Sequence, residues 1–422
     1  MTASNRPEIV IVGAGVAGLV LALELHDAGI PCRVYESVPE IRALGVGINV
    51  LPHAGAVLGQ LSLEADLSAA AVLTRESVFF TRFGQLAYRE PAGRDAGYPD
   101  PQYSIHRGDL QAVLLSAVRE RLGPDAVVTG HTCTGTRDED GHVTAEFRTA
   151  DGALVRVRGD AVIACDGVNS VIRKQLHPKE GEPRYSGVTM WRGVTVWEPF
   201  LSGGSMVRIG WLDKGKLVIY PIRNDVDAQG RQLVNWVAER ETPQRTDRDW
   251  IRQGELADFA SAYADWHFDW LDVPAFLEAT DSVLEYPMVD QEPLDWWTAG
   301  RVTLLGDAAH PMVPRGSNGA GQAVLDARAL RTALVEEPDV HSALQAYEHK
   351  RRPATAAVVR TNRANPPDAI LREVSRRSGD RPFARIEDVI SREELAAISD
   401  GYKDVAGYAL GTPERVPEQP LT

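Results

Sequence analysis

The chain has 422 residues, enough for one large domain or two ordinary ones, and 44% of them are hydrophobic, the composition of a soluble globular protein with a real core. Lys plus Arg is 45 against 59 Asp plus Glu, a net charge of −14 that argues against a nucleic-acid surface and against anionic membranes, while leaving room for a local basic pocket for phosphates. The three cysteines, Cys32, Cys133 and Cys165, are far apart, make no metal-ligand spacing and are too few for a disulfide framework, so the expectation is a cytoplasmic protein with no metal.

"EIVIVGAG" reads as a buried strand, "AGLVLALELHDAG" as a helix ending at Gly29, and "PCRVYES" as a second buried strand. This βαβ unit implies a parallel sheet with helices on its faces. The uncharged run from Ile9 to Leu23 is too short to span a membrane. Its flank carries Glu8 as well as Arg6, so it lacks the basic start of a signal peptide. "HRGDLQAVLLSAVRERLG" is an amphipathic helix over Arg107 to Leu122. A meander of strands follows, with turns at "DEDG" and "ADG", and "AVIACDG" returns to a buried strand. After Pro178 come longer strands rich in aromatics: "SGVTMWRGVTVW", "SMVRIGWL", "KLVIYPIR" and "QLVNWVAE". "VTLLGDAAH" is again a buried strand, followed by a helix to about Leu334 and another over Val340 to Thr361. The polar, Pro-rich tail after Asn365 is expected to wrap the surface. The predicted fold is therefore α/β. A discontinuous Rossmann-like dinucleotide lobe (residues 1–180 and 285–365) carries an inserted antiparallel β-sheet substrate lobe (181–284), with residues 366–422 as a C-terminal surface extension. A ligand lying along the join suits that discontinuity.

Three motifs carry chemistry. Gly13, Gly15 and Gly18 form G-x-G-x-x-G between a strand and a helix: a tight turn, a close approach for a diphosphate, and close helix–strand packing. The helix N–H groups would hold the anion, and Glu36, at the end of the second strand, would accept from a ribose. This pattern alone does not separate NAD from FAD, and its bland counterpart is a βα turn without ligand. "CDGVNSVIR" places Asp166 after a strand; taken alone, it reads as an acidic helix cap with Arg173 as a surface charge. "GDAAHPMVPRGSNGAGQAVLDA" sets Gly306 and Asp307 after a strand, with Gly316, Gly319 and Gly321 freeing the backbone to approach a flat ring. The acid suits a polyol chain, and the N–H groups at the following helix start suit negative charge on that ring.

Taken together, these motifs resemble the single-component FAD-dependent aromatic hydroxylases of the 4-hydroxybenzoate and salicylate hydroxylase type, from about Glu8 to Arg360. The resemblance implies noncovalent, extended FAD, its diphosphate on the first glycine turn and its ring on the second. The implied cofactor-binding positions are Gly13, Ala14, Gly15, Val16, Gly18, Glu36, Val46 and Gly47 of the "LGVGI" turn, Arg107 of "HRGDL", Cys133, Asp166, Gly306, Asp307, Gly319 and Ala320. Pro314, Ala320 and Gly321 take the catalytic positions: the amides of Ala320 and Gly321 near the flavin pyrimidine oxygen, and the Pro314 carbonyl on the substrate side of the ring. Substrate candidates are Trp191, Arg192, Ile209, Val218, Tyr220, Pro314 and His53, although strand parity turns half of the sheet positions away. Arg192 is either a partner for a substrate carboxylate or a surface arginine beside Glu198. His310 reads as a packed motif residue rather than a base.

Two departures, Gly321-Gln322 and "PHA" at Pro52-His53-Ala54, resemble the phenazine-hydroxylase branch of the family. The implied reaction uses NAD(P)H as a transient co-substrate and O2, proceeds through a flavin C4a-hydroperoxide, and oxygenates an aromatic or heteroaromatic small molecule, with decarboxylation as one possible outcome. Baeyer–Villiger oxygenation, a flavin oxidase or dehydrogenase without oxygen insertion, and an inactive FAD-fold binding protein are the alternatives. The implied assembly is a monomer or homodimer, with no nucleic-acid or membrane partner.

Overall fold

The apolar run Ile9–Val12 lies at the centre of a six-stranded sheet. The chain is described by a computed structural model over residues 7–42, 45–243 and 252–410, so Arg6, Leu44 and the last residues of the tail lie outside the description. Across this sheet the order is Thr298–Ala299, Val302–Leu304, Ala161–Ala164, Ile9–Val12, Cys32–Tyr35 and Val127–Val128. All pairs are parallel except the first. Parallel strands need crossovers that cover both faces. Helices Val16–Asp27, Gly319–Glu336 and Arg107–Leu122 form one covering layer, the first packing on both of the others, while the antiparallel meander His131–Glu139, His142–Thr149 and Leu154–Gly159 packs on the sheet through Val143, Ala145 and Phe147, where the βαβ pattern led to the expectation of helices on both faces.

A second sheet has eight strands in the order Arg252–Gly254, Val283–Asp290, Arg184–Trp197, Gln232–Glu241, Gly215–Arg223, Ser205–Trp211, Glu76–Phe80 and Leu86–Pro91. It is wider than an insertion at 181–284. One edge comes from residues 76–91, and Glu76–Phe80 runs parallel to Ser205–Trp211. A short apolar run such as "ESVFF" carries no local sign of a partner more than a hundred residues away.

Alternation along these strands sorts the side chains onto two faces. Trp191, Val207, Ile209, Leu217, Ile219 and Trp236 pack under Phe259, Tyr263, Trp266 and Phe276. Val188, Met190, Met206, Val218, Tyr220 and Ile222 line the opposite face, where Val313 of the third motif joins them.

The segment expected to wrap the surface instead folds into helices Ala369–Ser378 and Arg392–Ala406. Ile370, Leu371, Val374, Ile390 and Leu395 are buried against Phe79 and Ala87 of the sheet edge. A buried charge cluster fastens it: Asp368 pairs with Lys216 and with Arg208 (2.8 Å), and Lys216 also reaches Glu239 at 2.9 Å. No helix among the described residues is long and apolar enough to cross a membrane.

Candidate active site

The first glycine turn is built by close approach. Gly13 has φ +101°, and a Cβ there would lie 2.4 Å from the Cys165 carbonyl oxygen; a Cβ on Gly18 would lie 2.0 Å from the Gly13 oxygen. A Cβ on Gly15 would meet nothing within 4 Å. Gly15 caps the helix Val16–Asp27 without a side-chain hydrogen bond, so the amides of Val16, Ala17 and Gly18 have no intrahelical acceptor. Three N–H groups beside an open glycine form a cradle for an anion. Glu36 stands at its rim: one carboxylate oxygen accepts from the Ala14 amide at 2.8 Å, the other from Val38 at 3.0 Å. Gln111 closes the other side, donating to the Ala14 carbonyl at 2.8 Å. Arg107 is exposed, its side chain 3.7 Å from a Cβ on Gly45.

Asp166 caps a short helix by accepting from the Val171 amide at 2.9 Å. Its second oxygen is buried without a partner, and burial raises its pKa. Cys133 is a core thiol pushed up to about 12 by burial, which excludes a thiolate there. The surface-charge reading of Arg173 is overturned. Its guanidinium is buried, pairs with Glu180 and donates to the carbonyls of Ala308 (2.9 Å) and Ala309 (2.8 Å). The second motif thereby holds the third.

The third motif adjoins the first. Gly306 (φ +65°) lets the chain pass so closely that a Cβ would sit 3.1 Å from Cβ of Ala17 and 3.2 Å from Cβ of Ala323. Asp307 is exposed, 3.9 Å from a Cβ on Gly319. A short turn at Pro314–Gly316 and left-handed Ser317 (φ 53°) lead into helix Gly319–Glu336. Its first intrahelical bond reaches Gln322, so the amides of Gly319, Ala320 and Gly321 point out of the helix start. Beneath, Asp326 accepts from His310 (2.5 Å) and Arg351 (2.6 Å), and Arg351 also grips the Gln322 side chain at 2.6 Å. Burial alone would raise the Asp326 pKa, but the contacts with His310 and Arg351 hold it low. His310 is thus a buried support for the loop, with no open side toward a ligand.

Gly47 ties the turn before strand Gly47–Val50 to the sheet. Its amide donates to Asn235 at 2.7 Å, and its carbonyl accepts from Arg192 at 2.9 Å. A Cβ there would lie 2.6 Å from Cβ of Asn235. Val46 is buried beside it. Arg192 faces inward rather than lying on the surface beside Glu198. Its Nε is buried without a hydrogen-bond partner, and no ion pair engages it among the described residues. Tyr220 lies on the same face, its hydroxyl pKa raised by burial against the opposing pull of Arg192. Val218 is on that face too. Trp191 and Ile209 are not: Trp191 stacks on Phe259 at 5.1 Å, and both point into the far core, which removes them from the substrate wall. Their strand neighbours Arg192 and Arg208 take the inward positions.

Arg208 leads to residues that local patterns missed. A cavity of 280 Å³ is lined by Leu51, Phe79, Met206, Arg208, Gly316 and Ser317, and by Tyr402, Lys403 and Tyr408 from the C-terminal segment. A larger but open depression of 420 Å³ at Ser186, Gly187, Glu241, Thr242 and Pro243 contains no motif residue. His53 is outside the cavity lining but stacks on Tyr408, which is part of it. The exposed Pro314 sits two residues before Gly316.

Comparison with known proteins adds independent findings. A family model described as FAD binding domain matches residues 6–362. The chain is 43% identical over 416 residues to the phenazine 1,6-dicarboxylic acid hydroxylase PhzS of Lysobacter antibioticus, covering 96% of this chain and 98% of that protein. It is 33% identical over 368 residues to the 3-amino-4-hydroxybenzoate 2-monooxygenase PtmB3 of Streptomyces platensis, covering 85% and 88%. Among solved structures, Klebsiella pneumoniae HpxO complexed with FAD and uric acid superposes with a TM-score of 0.76 at 23% identity, covering 96% and 97%, a likeness of fold.

Proposed function

The chain belongs to the FAD binding domain family and is a flavin-dependent aromatic monooxygenase that uses NAD(P)H and O2; from that premise we propose that its substrate is a flat, multi-ring aromatic or heteroaromatic carboxylic acid. The observation that carries this reading is the near-complete, 43% identical match to the Lysobacter hydroxylase, named for a phenazine dicarboxylic acid substrate. The inward, acid-free Arg192 supports it as a partner for one carboxylate.

The residues present fit FAD. The open cradle at Gly15 would take the diphosphate and Glu36 a ribose, while Asp307 would accept from the ribityl chain. The amides of Ala320 and Gly321 would face negative charge on the ring. When bound, the flavin accepts electrons from NAD(P)H and activates dioxygen for delivery of one oxygen atom to an electron-rich ring. Around it the chain's own work is to orient and to exclude water. Arg192 would fix the substrate by its carboxylate, and the buried Val313, Met190 and Tyr220 keep the sheet side dry.

The test is NAD(P)H consumption with phenazine-, quinoline- and naphthoate-type acids against salicylates and phenols, with labelled dioxygen. One labelled atom in a product from a multi-ring acid is expected. Activity confined to single-ring substrates would overturn the substrate class. Label arriving only from water would overturn oxygen insertion, and a lactone or ring-opened product would point to Baeyer–Villiger chemistry.

A further inference from the structure

The C-terminal segment closes the 280 Å³ cavity with Ser399, Tyr402, Lys403, Tyr408 and Leu410, facing Phe79, Tyr88 and Tyr98 across it. Several contacts fix its pose. Lys403 pairs with Glu90 on the edge strand Leu86–Pro91 at 2.9 Å, and Ser399 donates to the same carboxylate at 2.7 Å. Gln322, on the helix that starts at the flavin-facing amides, donates to the Ala406 carbonyl at 3.2 Å. Tyr402 donates to Asn362 at 2.9 Å and lies so close to the third motif that a Cβ on Gly316 would fall 1.5 Å from its hydroxyl. Gly407, left-handed at φ 83°, then turns the chain and delivers Tyr408.

Tyr408 is held by a stack. Its ring lies parallel to His53, centroids 5.2 Å apart and planes within 7°. His53 comes from helix Pro52–Gln60, and its Nε2 would be 3.2 Å from a Cβ on Gly321. Both ring nitrogens are sealed from solvent without a hydrogen-bond partner. Burial, helped by the nearby Arg351, lowers its pKa to about 4, so at neutral pH the imidazole is an uncharged flat surface. A neutral ring beside Tyr408 supports stacking rather than proton transfer.

We propose that Tyr408, backed by His53 and latched through Lys403 and Glu90, is the specificity wall of the substrate cavity, and that it selects by ring number. A flat fused-ring acid would lay its distal ring against Tyr408. A single-ring acid would fill only part of the 280 Å³ cavity and share less surface with that ring. The selection rests on the reading that this cavity receives the aromatic substrate. The phenols of Tyr88, Tyr98, Tyr402 and Tyr408 all stay protonated, their pKa values raised by burial, so they present donors and flat faces but no charge.

The experiment uses the full-length, FAD-loaded enzyme with Tyr408→Ala, Tyr408→Leu and Tyr408→Phe. Dissociation constants for one-, two- and three-ring aromatic acids are read from the perturbation of the flavin spectrum, alongside KM, kcat and the ratio of product to NAD(P)H. Tyr408→Ala and Tyr408→Leu are expected to weaken three-ring binding at least tenfold while moving single-ring binding less than twofold; Tyr408→Phe should restore the wild-type ratio. An equal effect on all ring sizes, or no effect, in a variant that retains its flavin spectrum would overturn the proposal. If wild type accepts only single-ring acids, the multi-ring substrate reading fails. The wall is then judged by whether Tyr408→Ala admits two- and three-ring acids that wild type refuses, and an unchanged preference overturns it. Should Tyr408→Ala lose FAD, the leucine variant decides by the same ratio.

Discussion

Arg173 reaches 136 residues along the chain to donate to the carbonyl of Ala309 at 2.8 Å. The same nitrogen serves Ala308, and the rest of the guanidinium is taken by Glu180. A cation in this position fixes the two carbonyls that follow Asp307, and with them the direction of that carboxylate. Arg173→Met strands the Glu180 carboxylate and two buried carbonyls, so the expected loss of folding stability is about 2–4 kcal/mol. FAD affinity should fall at least tenfold, measured by fluorescence titration of apoprotein. Arg173→Lys should recover stability better than affinity, because an ammonium cannot reproduce the fork. A variant with wild-type affinity would show that the clamp plays no part in presenting Asp307.

The glycines of the first turn separate fold from function. A Cβ on Gly18 would collide with the Gly13 backbone oxygen, whereas a Cβ on Gly15 would meet no protein atom. Gly18→Ala is therefore expected to damage the apoprotein itself, lowering its thermal midpoint or preventing soluble expression. Gly15→Ala should leave the apoprotein within about 0.5 kcal/mol of wild type yet weaken FAD binding, since its methyl group enters the space beside the free helix amides. Thermal unfolding of apoprotein together with cofactor titration reads both. Equal apoprotein stability in the two variants would refute the distinction.

Asp307 makes no hydrogen bond or ion pair among the described residues and is exposed at the start of the third motif. Removing it should leave apoprotein stability unchanged. A charged acceptor lost from a polyol hydroxyl should weaken FAD by about 10- to 100-fold. Asp307→Asn, which keeps an acceptor but not the charge, should fall between. If Asp307→Ala bound FAD as tightly as wild type, the carboxylate would not touch the cofactor.

The parallel core was legible because a glycine turn between two short apolar runs leaves few topologies, and the helix Arg107–Leu122 announced itself by pattern and by its closing glycine. The sheet faces were not. Strand parity needs one anchored position, and the row "TMWRG" offers Trp191 and Arg192 with equal claim until Phe259 is seen to cover the tryptophan. Arg208 went unmarked for the same reason: an arginine between Val207 and Ile209 gives no local hint of Asp368. The C-terminal wall did carry a signal. Ser391 and Glu394 form a capping box at the start of Arg392–Ala406, the mark of a deliberate helix in a tail that its composition makes look like surface wrapping. What no local pattern could supply was that this helix ends over the 280 Å³ cavity beside the third motif.

His53 gives a test in pH. Burial is the main cause of its lowered pKa, about 4 against 6.5 for the free side chain. The ring keeps some surface, but both nitrogens are shut off from water. Below pH 6.5 the unfolded chain binds a proton that the folded chain refuses until about pH 4. This site's contribution is therefore intact at pH 7, falls progressively as pH drops from 6.5 to 4, and is constant below that. The gap corresponds to at most roughly 3 kcal/mol. Carboxylates with raised pKa values, Asp166 and Glu24, slope the opposite way in the same acid range, so total stability does not isolate the histidine. A difference does. His53→Phe keeps a flat ring against Tyr408 and cannot titrate. Denaturant unfolding of both proteins from pH 7.5 to 4.5 should show the variant losing less stability than wild type on acidification, by about 2–3 kcal/mol across that span. A second reading is kinetic: with His53 neutral throughout, the kcat/KM profile from pH 6 to 9 should keep its shape in the variant. Parallel stability curves would mean that the histidine is not held neutral by burial. A kinetic inflection that vanishes with the side chain would mean that it handles a proton after all.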